Sequence, residues 1–364
     1  MKIINKYILK EFLPQFLLGL LVFTFILIME RIFYLTNLIV SKGVSVFKVI
    51  QMFSYILPSF ASMTLPMSFL MGTLLAFGRL QDDNEIIALR AGGVSQIKII
   101  IPILLISLIF SGFMIFFNQN IVPNAQKKFS KIYYNIAYQK PTLKFEEKTF
   151  FTLQNYKLYI KKINRKTNSM KDLIIYKTEN HKYPTLITAK TGKLIQKTNS
   201  IKMKLFNGMI QQKNDKDPRE FNQLYFKEYD INFDLKDAQK KIHDYSKSTI
   251  NLTANEIKKE IVNLKSQNIN AINLKIQYHQ RFTMAIACFI FTLLASSLAI
   301  MSTKHTKSIA FGLSLILIFV FYALLTFSAG VAEKKLLTPA IALSLPNIIL
   351  GIIGVILSLR VNKK

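Results

Sequence analysis

The residues whose types and spacing could do chemistry gather in one short stretch, Arg79-Leu80-Gln81-Asp82-Asp83-Asn84-Glu85-Ile86-Ile87-Ala88-Leu89-Arg90-Ala91-Gly92-Gly93-Val94-Ser95. Acids at one end, a lone arginine and a glycine pair at the other suit recognition rather than bond-breaking. Asp82 is placed to cap a first helical turn, and Glu85, three residues on, complements the cap and the positive helix terminus. Gly92 or Gly93 can take the left-handed conformation that stops the helix. Ile86, Leu89 and Arg90 fall at helical spacing on adjoining faces. Two readings follow: a connector lying on a membrane surface, or a docking element pushed by another protein.

No other constellation competes with it. The nearest approach to a phosphate-binding loop, Thr191-Gly192-Lys193-Leu194, lacks the first glycine and the hydroxyl that would bind magnesium. The histidines, His181, His243, His279 and His305, form no His-x-x-x-His pair, and no Gly-x-Ser-x-Gly elbow occurs. One cysteine, Cys288, excludes an intramolecular disulfide and a cysteine-based zinc cluster. The expectation is a non-catalytic chain without cofactor or metal, dependent on a partner for any energy it uses.

The elements that must position the Arg79–Ser95 stretch are helices in lipid. Of 364 residues, 51% are hydrophobic, while Lys and Arg outnumber Asp and Glu 48 to 20, a formal charge of +28. Oil and charge occupy separate stretches, which excludes an ordinary soluble globule. Uncharged runs cover Phe12 to Met29, Val49 to Gly78, Ile99 to Gln126, Phe282 to Thr303, Ser308 to Ala332 and Leu336 to Leu359. Crossing ~30 Å of hydrocarbon takes about 20 apolar residues as a helix, so these predict six spans divided three and three. The first is too long for a signal peptide's apolar region and no cleavage site follows it. The second carries Pro58 and Pro66, which predict a bent helix. Eleven Lys and Arg fall in flanks that are cytoplasmic if the N-terminus is. Against them stand Lys42, Lys48, Lys334 and Lys335, plus Arg31 at a helix end. The positive-inside bias therefore places both termini in the cytoplasm and the long central segment outside it.

That segment changes pattern. Ile201, Met203 and Leu205 alternate with Lys202, Lys204 and Phe206, and Asn207-Gly208 is the dipeptide favoured in two-residue hairpin turns. Tyr229, Ile231, Phe233 and Leu235 alternate likewise, as do Leu158 and Ile160, with further short runs at Leu173 to Tyr176 and Leu186 to Ala189. Many short strands suggest a sandwich or open jelly roll. The insert is basic, which calls for an anionic partner or marks a solvated lysine-rich surface; nucleic acid is an improbable neighbour for a domain tethered outside the cytoplasmic membrane. Thr253-x-x-Glu256 reads as a capping box, with Ile257, Ile261 and Leu264 on one face of the helix it opens. A further helix from about Ala271 runs into the fourth span. The division is therefore 1–122 (spans one to three, with the short helix at about 82–92), 123–276 (the inserted β domain with its helical return) and 277–364 (spans four to six).

Gly78 to Ser95 resembles the signature of the lipopolysaccharide export permeases, the LptF/LptG (YjgP/YjgQ) family. The likeness continues through Tyr7-Ile8-Leu9-Lys10-Glu11, Leu57-Pro58, Leu65-Pro66, Val122-Pro123 and Ala189-Lys190-Thr191-Gly192. It extends to Leu205-Phe206-Asn207-Gly208, Gln280-Arg281-Phe282 and Leu345-Pro346-Asn347. The sequence departs from the family pattern at Thr283-Met284-Ala285, where a proline is usual, and at Leu294-Ala295-Ser296-Ser297, where a glycine is. The opening and the coupling motif look more like LptF than LptG. The resemblance implies a polytopic α-helical membrane protein of six transmembrane helices with an inserted periplasmic all-β jellyroll-like domain. It further implies an inner-membrane permease subunit of an ABC transporter that extracts lipopolysaccharide and passes it to a periplasmic bridge. The implied partners are an LptB-type ATPase dimer, a second permease of the family, and LptC-like and LptA-like bridge proteins. Asp82, Glu85, Leu89, Arg90 and Gly92 would lie in the helix docked on the ATPase. Arg31 would meet glycolipid phosphate or snorkel to headgroups, and spans one and five would form a lateral gate. The competing reading is a membrane-anchored structural or signalling protein with a basic periplasmic binding domain. A secondary carrier would instead require intramembrane acids or two repeated halves.

Overall fold

The computed structural model describes residues 2–40, 44–139, 147–153, 155–164, 169–178, 185–197, 200–213, 221–234, 251–267, 269–301 and 307–363. Lys42, His181, Leu235, His243, Lys304 and His305, used above, lie outside the described residues. Among those described, six helices are long and apolar enough to cross a membrane. The chain forms two compact units, one of Met1–Phe33, Phe53–Lys128 and Ser248–Lys364, the other of Tyr34–Met52 and Phe129–Lys247.

The apolar runs become helices that extend into polar flanks, which continue the backbone hydrogen bonding. The helices are α1 (Lys2–Val40), α2 (Val46–Asp82), α3 (Glu85–Ala91), α4 (Gln96–Phe116), a π-helical turn (Phe117–Ile121), α5 (Val122–Gln139), α6 (Ala254–Ser266), α7 (Ile272–Met301), α8 (Lys307–Glu333) and α9 (Pro339–Lys363). α2 continues through both Pro58 and Pro66. Lipid offers no hydrophobic drive between helices, so close packing at small residues and buried hydrogen bonds must do the work. Gly72 of α2 lies against the Phe16 backbone of α1. The rings of Phe12, Phe16, Phe69 and Phe110 pack around that contact, with Phe16 and Phe69 centroids 4.9 Å apart. α7 and α9 exchange bonds: the Thr283 hydroxyl donates to the Leu343 carbonyl at 2.7 Å, and Asn347 Nδ2 donates to the Thr283 carbonyl at 2.9 Å. Ser297 donates to the Gly354 carbonyl at 3.3 Å. Thus where the sequence departs from the family pattern, α7 runs unbroken and its hydroxyls bind α9. The capping box of α6 forms as expected: Glu256 accepts from the Thr253 backbone at 2.7 Å, and Thr253 Oγ1 accepts from the Glu256 backbone at 3.5 Å. Ile257, Ile261 and Leu264 pack inward from it.

The second unit carries a six-stranded antiparallel sheet in the order β1-β2-β3-β4-β5-β6. Its strands are β1 (Phe150–Leu153), β2 (Tyr156–Asn164), β3 (Ser169–Lys177), β4 (Thr185–Lys197), β5 (Ser200–Lys213) and β6 (Phe221–Asp234). The sheet is rolled: Tyr156 of β2 meets Phe233 of β6 edge-on, their centroids 5.3 Å apart. Leu158, Ile160, Met170, Ile175, Met203 and Leu205 form the fully buried centre of its apolar interior. Thr191-Gly192-Lys193-Leu194 lies within β4 and is no loop.

Asn207-Gly208 is no hairpin turn, contrary to expectation. β5 runs through it, with Asn207 in the left-handed region at φ 52°. Gly208 is required because a Cβ there would run into the Thr188 carbonyl and the Phe226 ring. The reason lies in the alternation, which slips by one residue in five strands at once. Inward positions pass from Ile160 to Ile163 in β2, from Met170 to Leu173 in β3, and from Ala189 to Gly192 in β4. In β5 and β6 they pass from Leu205 to Gly208 and from Tyr229 to Phe226. Because all five slip together, the register carries straight through: Thr191 pairs with Phe206 and Ala189 with Gly208, Leu205 with Tyr229 and Gly208 with Phe226. The slip leaves two consecutive outward residues on each strand, a bulge that crosses the sheet.

Candidate functional site

The loop between α2 and α4 is built by local rules. Asp82 ends α2 and does not cap α3, a correction to the sequence reading. The cap residue is Asn84, left-handed at φ 58°, with no side-chain cap bond. Asn tolerates that conformation better than other non-glycine residues, and here it serves two helices. Its N–H donates to the Gln81 carbonyl at 3.0 Å to close α2, while its carbonyl accepts from Ala88 at 2.9 Å to open α3. The far end is a complete Schellman motif. Val94 donates to the Leu89 carbonyl at 3.0 Å and Gly93 to the Arg90 carbonyl at 2.9 Å. Gly93, at φ 81°, is the left-handed stop; Gly92 keeps a negative φ.

Side chains tie this loop to α1. Tyr7 donates to Glu85 Oε1 at 2.9 Å, and Arg79 Nη1 donates to Glu11 at 2.6 Å, with Asp83 3.5 Å from Arg79 Nε. Each bond is exposed and individually weak, but three side chains on α1 and α2 bracket a seven-residue helix. Ile86 is fully buried, and Leu89 and Val94 pack beside it against the helical core. Of the five residues expected to dock, Leu89 therefore faces inward. Asp82 and Gly92 are exposed, and Glu85 and Arg90 are half-buried. Arg90 sits in the last turn, where a cation complements the helix terminus. Ile87 is half exposed, at 51%, and with Ala88 and Ala91 makes a small apolar facet beside Asp82 and Asp83. Sequence reasoning missed Ile87. The signal was present, since consecutive residues on a helix diverge by about 100°, so Ile86 and Ile87 cannot both face inward.

A second polar cluster lay concealed inside an uncharged run. The π-helical turn carries Asn118, 3% exposed, which accepts from the Ser62 hydroxyl at 2.7 Å and donates to the Arg281 carbonyl at 3.4 Å. It thereby joins α2 and α7 to the third span. Such π turns recur at functional sites because the extra residue re-aims its side chain. About two turns on, Gln126 donates to Ser59 at 3.0 Å, and Lys127 reaches Glu256 of α6 at 2.6 Å. Burial pushes the Glu256 carboxyl up, but the bonds from Lys127 and Thr253 outweigh it and hold the group below its ordinary value. Arg31 lies on α1 with an exposed side chain, remote in sequence from both clusters.

Six spanning-length helices, a rolled β domain inserted between the third and fourth, and a braced helix exposed between the second and third define a polytopic α-helical membrane protein with an inserted β domain. A model of the family described as "Lipopolysaccharide export system permease LptF/LptG" matches residues 6–360, and the chain belongs to that family. The uncharacterized protein RP871 of Rickettsia prowazekii (strain Madrid E) is 25% identical over 195 residues, 53% of this chain. The match covers 54% of that protein, so the chain spans about half the length of this relative.

Proposed function

We propose that the chain is a non-catalytic permease subunit of an ABC transporter, one that extracts lipopolysaccharide from the inner membrane and passes it to a periplasmic bridge. A separate LptB-type ATPase dimer supplies the energy, a second permease of the family completes the membrane pathway, and LptC-like and LptA-like proteins receive the lipid. The opening segment favours the LptF-type arm. The lysine and arginine bias supports cytoplasmic termini and a periplasmic β domain.

The observation that carries this reading is the braced α3. A helix held at both ends by backbone motifs, packed by Ile86 and tied to α1 through Tyr7–Glu85, transmits a push as a rigid piece. Its exposed Ile87 facet suits a groove on a partner, and its acids set the polarity of the contact. Closure of the ATPase pair would then shift α3 with α1 and α2, narrowing the membrane cavity. Spans one and five would form the lateral entry, with Arg31 meeting phosphate there. The apolar interior of the rolled sheet offers acyl chains a path away from water.

The test is association. Replacing Glu85→Lys should abolish co-purification of the ATPase while membrane insertion persists. Tyr7→Phe, which removes only the internal bond to Glu85, should leave the complex intact. Undiminished co-purification with Glu85→Lys contradicts the coupling reading.

A further inference from the structure

The bulge that crosses β2 to β6 aligns one residue from each strand into a row on the outward face: Lys161, Asp172, Lys190, Asn207 and Lys227. The pairs on either side fix the alignment, with Ile160 opposite Leu173, Lys171 opposite Thr191, Ala189 opposite Gly208 and Phe206 opposite Glu228. Two of the five, Asp172 at φ 53° and Asn207 at φ 52°, hold a left-handed backbone that non-glycine residues rarely adopt. Strain of this kind persists where the surrounding structure imposes it, and bulges re-aim side chains. The row forms the basic side of a cleft of about 880 Å³, the volume of a site for a sizeable ligand. Tyr159, Ile174, Met209 and Tyr225 form its apolar walls, and Tyr225 is 76% exposed.

Ion pairing varies along the outward face. Towards the far end of β5 and β6 the lysines are neutralised across the strands, Lys202 by Asp230 at 2.7 Å and Lys204 by Glu228 at 2.6 Å. In the row, Asp172 lies 3.3 Å from Lys161, and Lys190 and Lys227 form no ion pair among the described residues. These two stand on β4 and β6 with Asn207 of β5 between them, about 10 Å apart at the backbone. Two amines and a carboxamide at that spacing can converge on one phosphate, and flanking tyrosine rings offer flat apolar faces to a sugar ring.

We propose that this ledge binds the phosphorylated saccharide of the glycolipid, on the outside of the sheet whose apolar interior takes the acyl chains. The proposal rests on the lipopolysaccharide reading above and adds a headgroup site to it. The phosphates give specificity through Lys190 and Lys227; the tyrosines and Met209 hold the sugar.

The test uses the full chain in phosphatidylcholine nanodiscs, with photoreactive benzoylphenylalanine replacing either Tyr225, outward on β6, or Tyr229, inward on the same strand. The probes are lipopolysaccharide and its enzymatically dephosphorylated form. The expected result is an adduct at Tyr225 that falls roughly tenfold on dephosphorylation or with Lys190→Ala and Lys227→Ala combined. Lys193→Ala, which removes the same charge from β4 outside the cleft, should change the yield less than about twofold. Equal loss with Lys193→Ala, or a yield indifferent to dephosphorylation, overturns the ledge. Suppression of adduct formation by inorganic phosphate or phosphatidylglycerol present during irradiation overturns the saccharide assignment. An adduct at Tyr229 alone overturns the ledge while leaving the lipopolysaccharide reading intact, and adducts at neither position overturn both.

Discussion

The close approach of α1 and α2 at Gly72 gives a quantitative prediction. Gly72→Ala would place a methyl carbon 2.8 Å from the Phe16 Cα and backbone nitrogen and 3.1 Å from its Cβ. Carbon atoms in contact need about 3.5–4.0 Å, and backbone cannot rotate away, so α1 must withdraw by roughly 1 Å. The withdrawal loosens Phe12 and Phe16 from Phe69, rings now 4.9–5.7 Å apart. Overpacking of this kind costs about 1–3 kcal/mol, offset in part by the roughly 1 kcal/mol that alanine gains over glycine in a helix. The net expectation is a loss of up to about 2 kcal/mol. Gly112→Ala is the control, since its methyl would meet nothing within 4 Å and only the propensity gain remains. The chain supplies its own reporter: Cys288, its one cysteine, is fully buried on α7. A thiol-reactive fluorogenic dye followed on heating therefore reads the opening of the bundle. Gly72→Ala should label several degrees below the unsubstituted protein, and Gly112→Ala at or above it. Coincident curves for the two variants would refute the close-packing argument.

Two further outcomes are expected. Gly208→Ala, which drives a Cβ into the Thr188 carbonyl and the Phe226 ring, should cost the β domain more than about 3 kcal/mol by strain at the bulge; proteolytic resistance equal to that of the unsubstituted sheet would contradict the Gly208 argument. Glu256 is held below its ordinary carboxyl value, so its contribution is present above about pH 4.5 and lost as pH falls through the lower folded value. With 43% of its side chain exposed the effect is small. Amide exchange in α6 should accelerate as pH falls below about 4.5 beyond its intrinsic pH dependence, and Glu256→Gln should remove that excess.

The spans were legible in the sequence because lipid leaves a helix no alternative, and the capping box at Thr253 because its two bonds are local. The ends of the helices were less so. Asp82 looked like a cap, yet the pair Arg79–Asp83 carries α2 one turn further, and Asn84 takes the left-handed position instead. Asn118 was hidden among its neighbours: Asn118, Gln119 and Asn120 are consecutive carboxamides in one long uncharged run, and only the π turn singles out the first of them and aims it at Ser62 and Arg281. At Asn207-Gly208 the local preference was read correctly and placed wrongly. Both residues do adopt the special geometry, but in mid-strand, because the neighbouring strands slip at the same level. The slip could have been seen in Ile160 to Ile163, Met170 to Leu173 and Ala189 to Gly192, three interruptions of strict alternation that only strand pairing brings into line. β1, short and with Phe150 exposed, gave no alternation long enough to read.

The most direct measurement is transfer by the assembled transporter. Proteoliposomes containing this chain, its partner permease and the ATPase would be loaded with lipopolysaccharide, and ATP-dependent release to a soluble periplasmic acceptor followed. Ile87→Asp places a charge on the exposed facet of α3 while leaving Ile86 and the Schellman stop untouched. Release should require ATP and fall to the ATP-free level in this variant, with the isolated ATPase still hydrolysing nucleotide. Full release with Ile87→Asp, or from vesicles lacking the chain altogether, would contradict the role assigned to it.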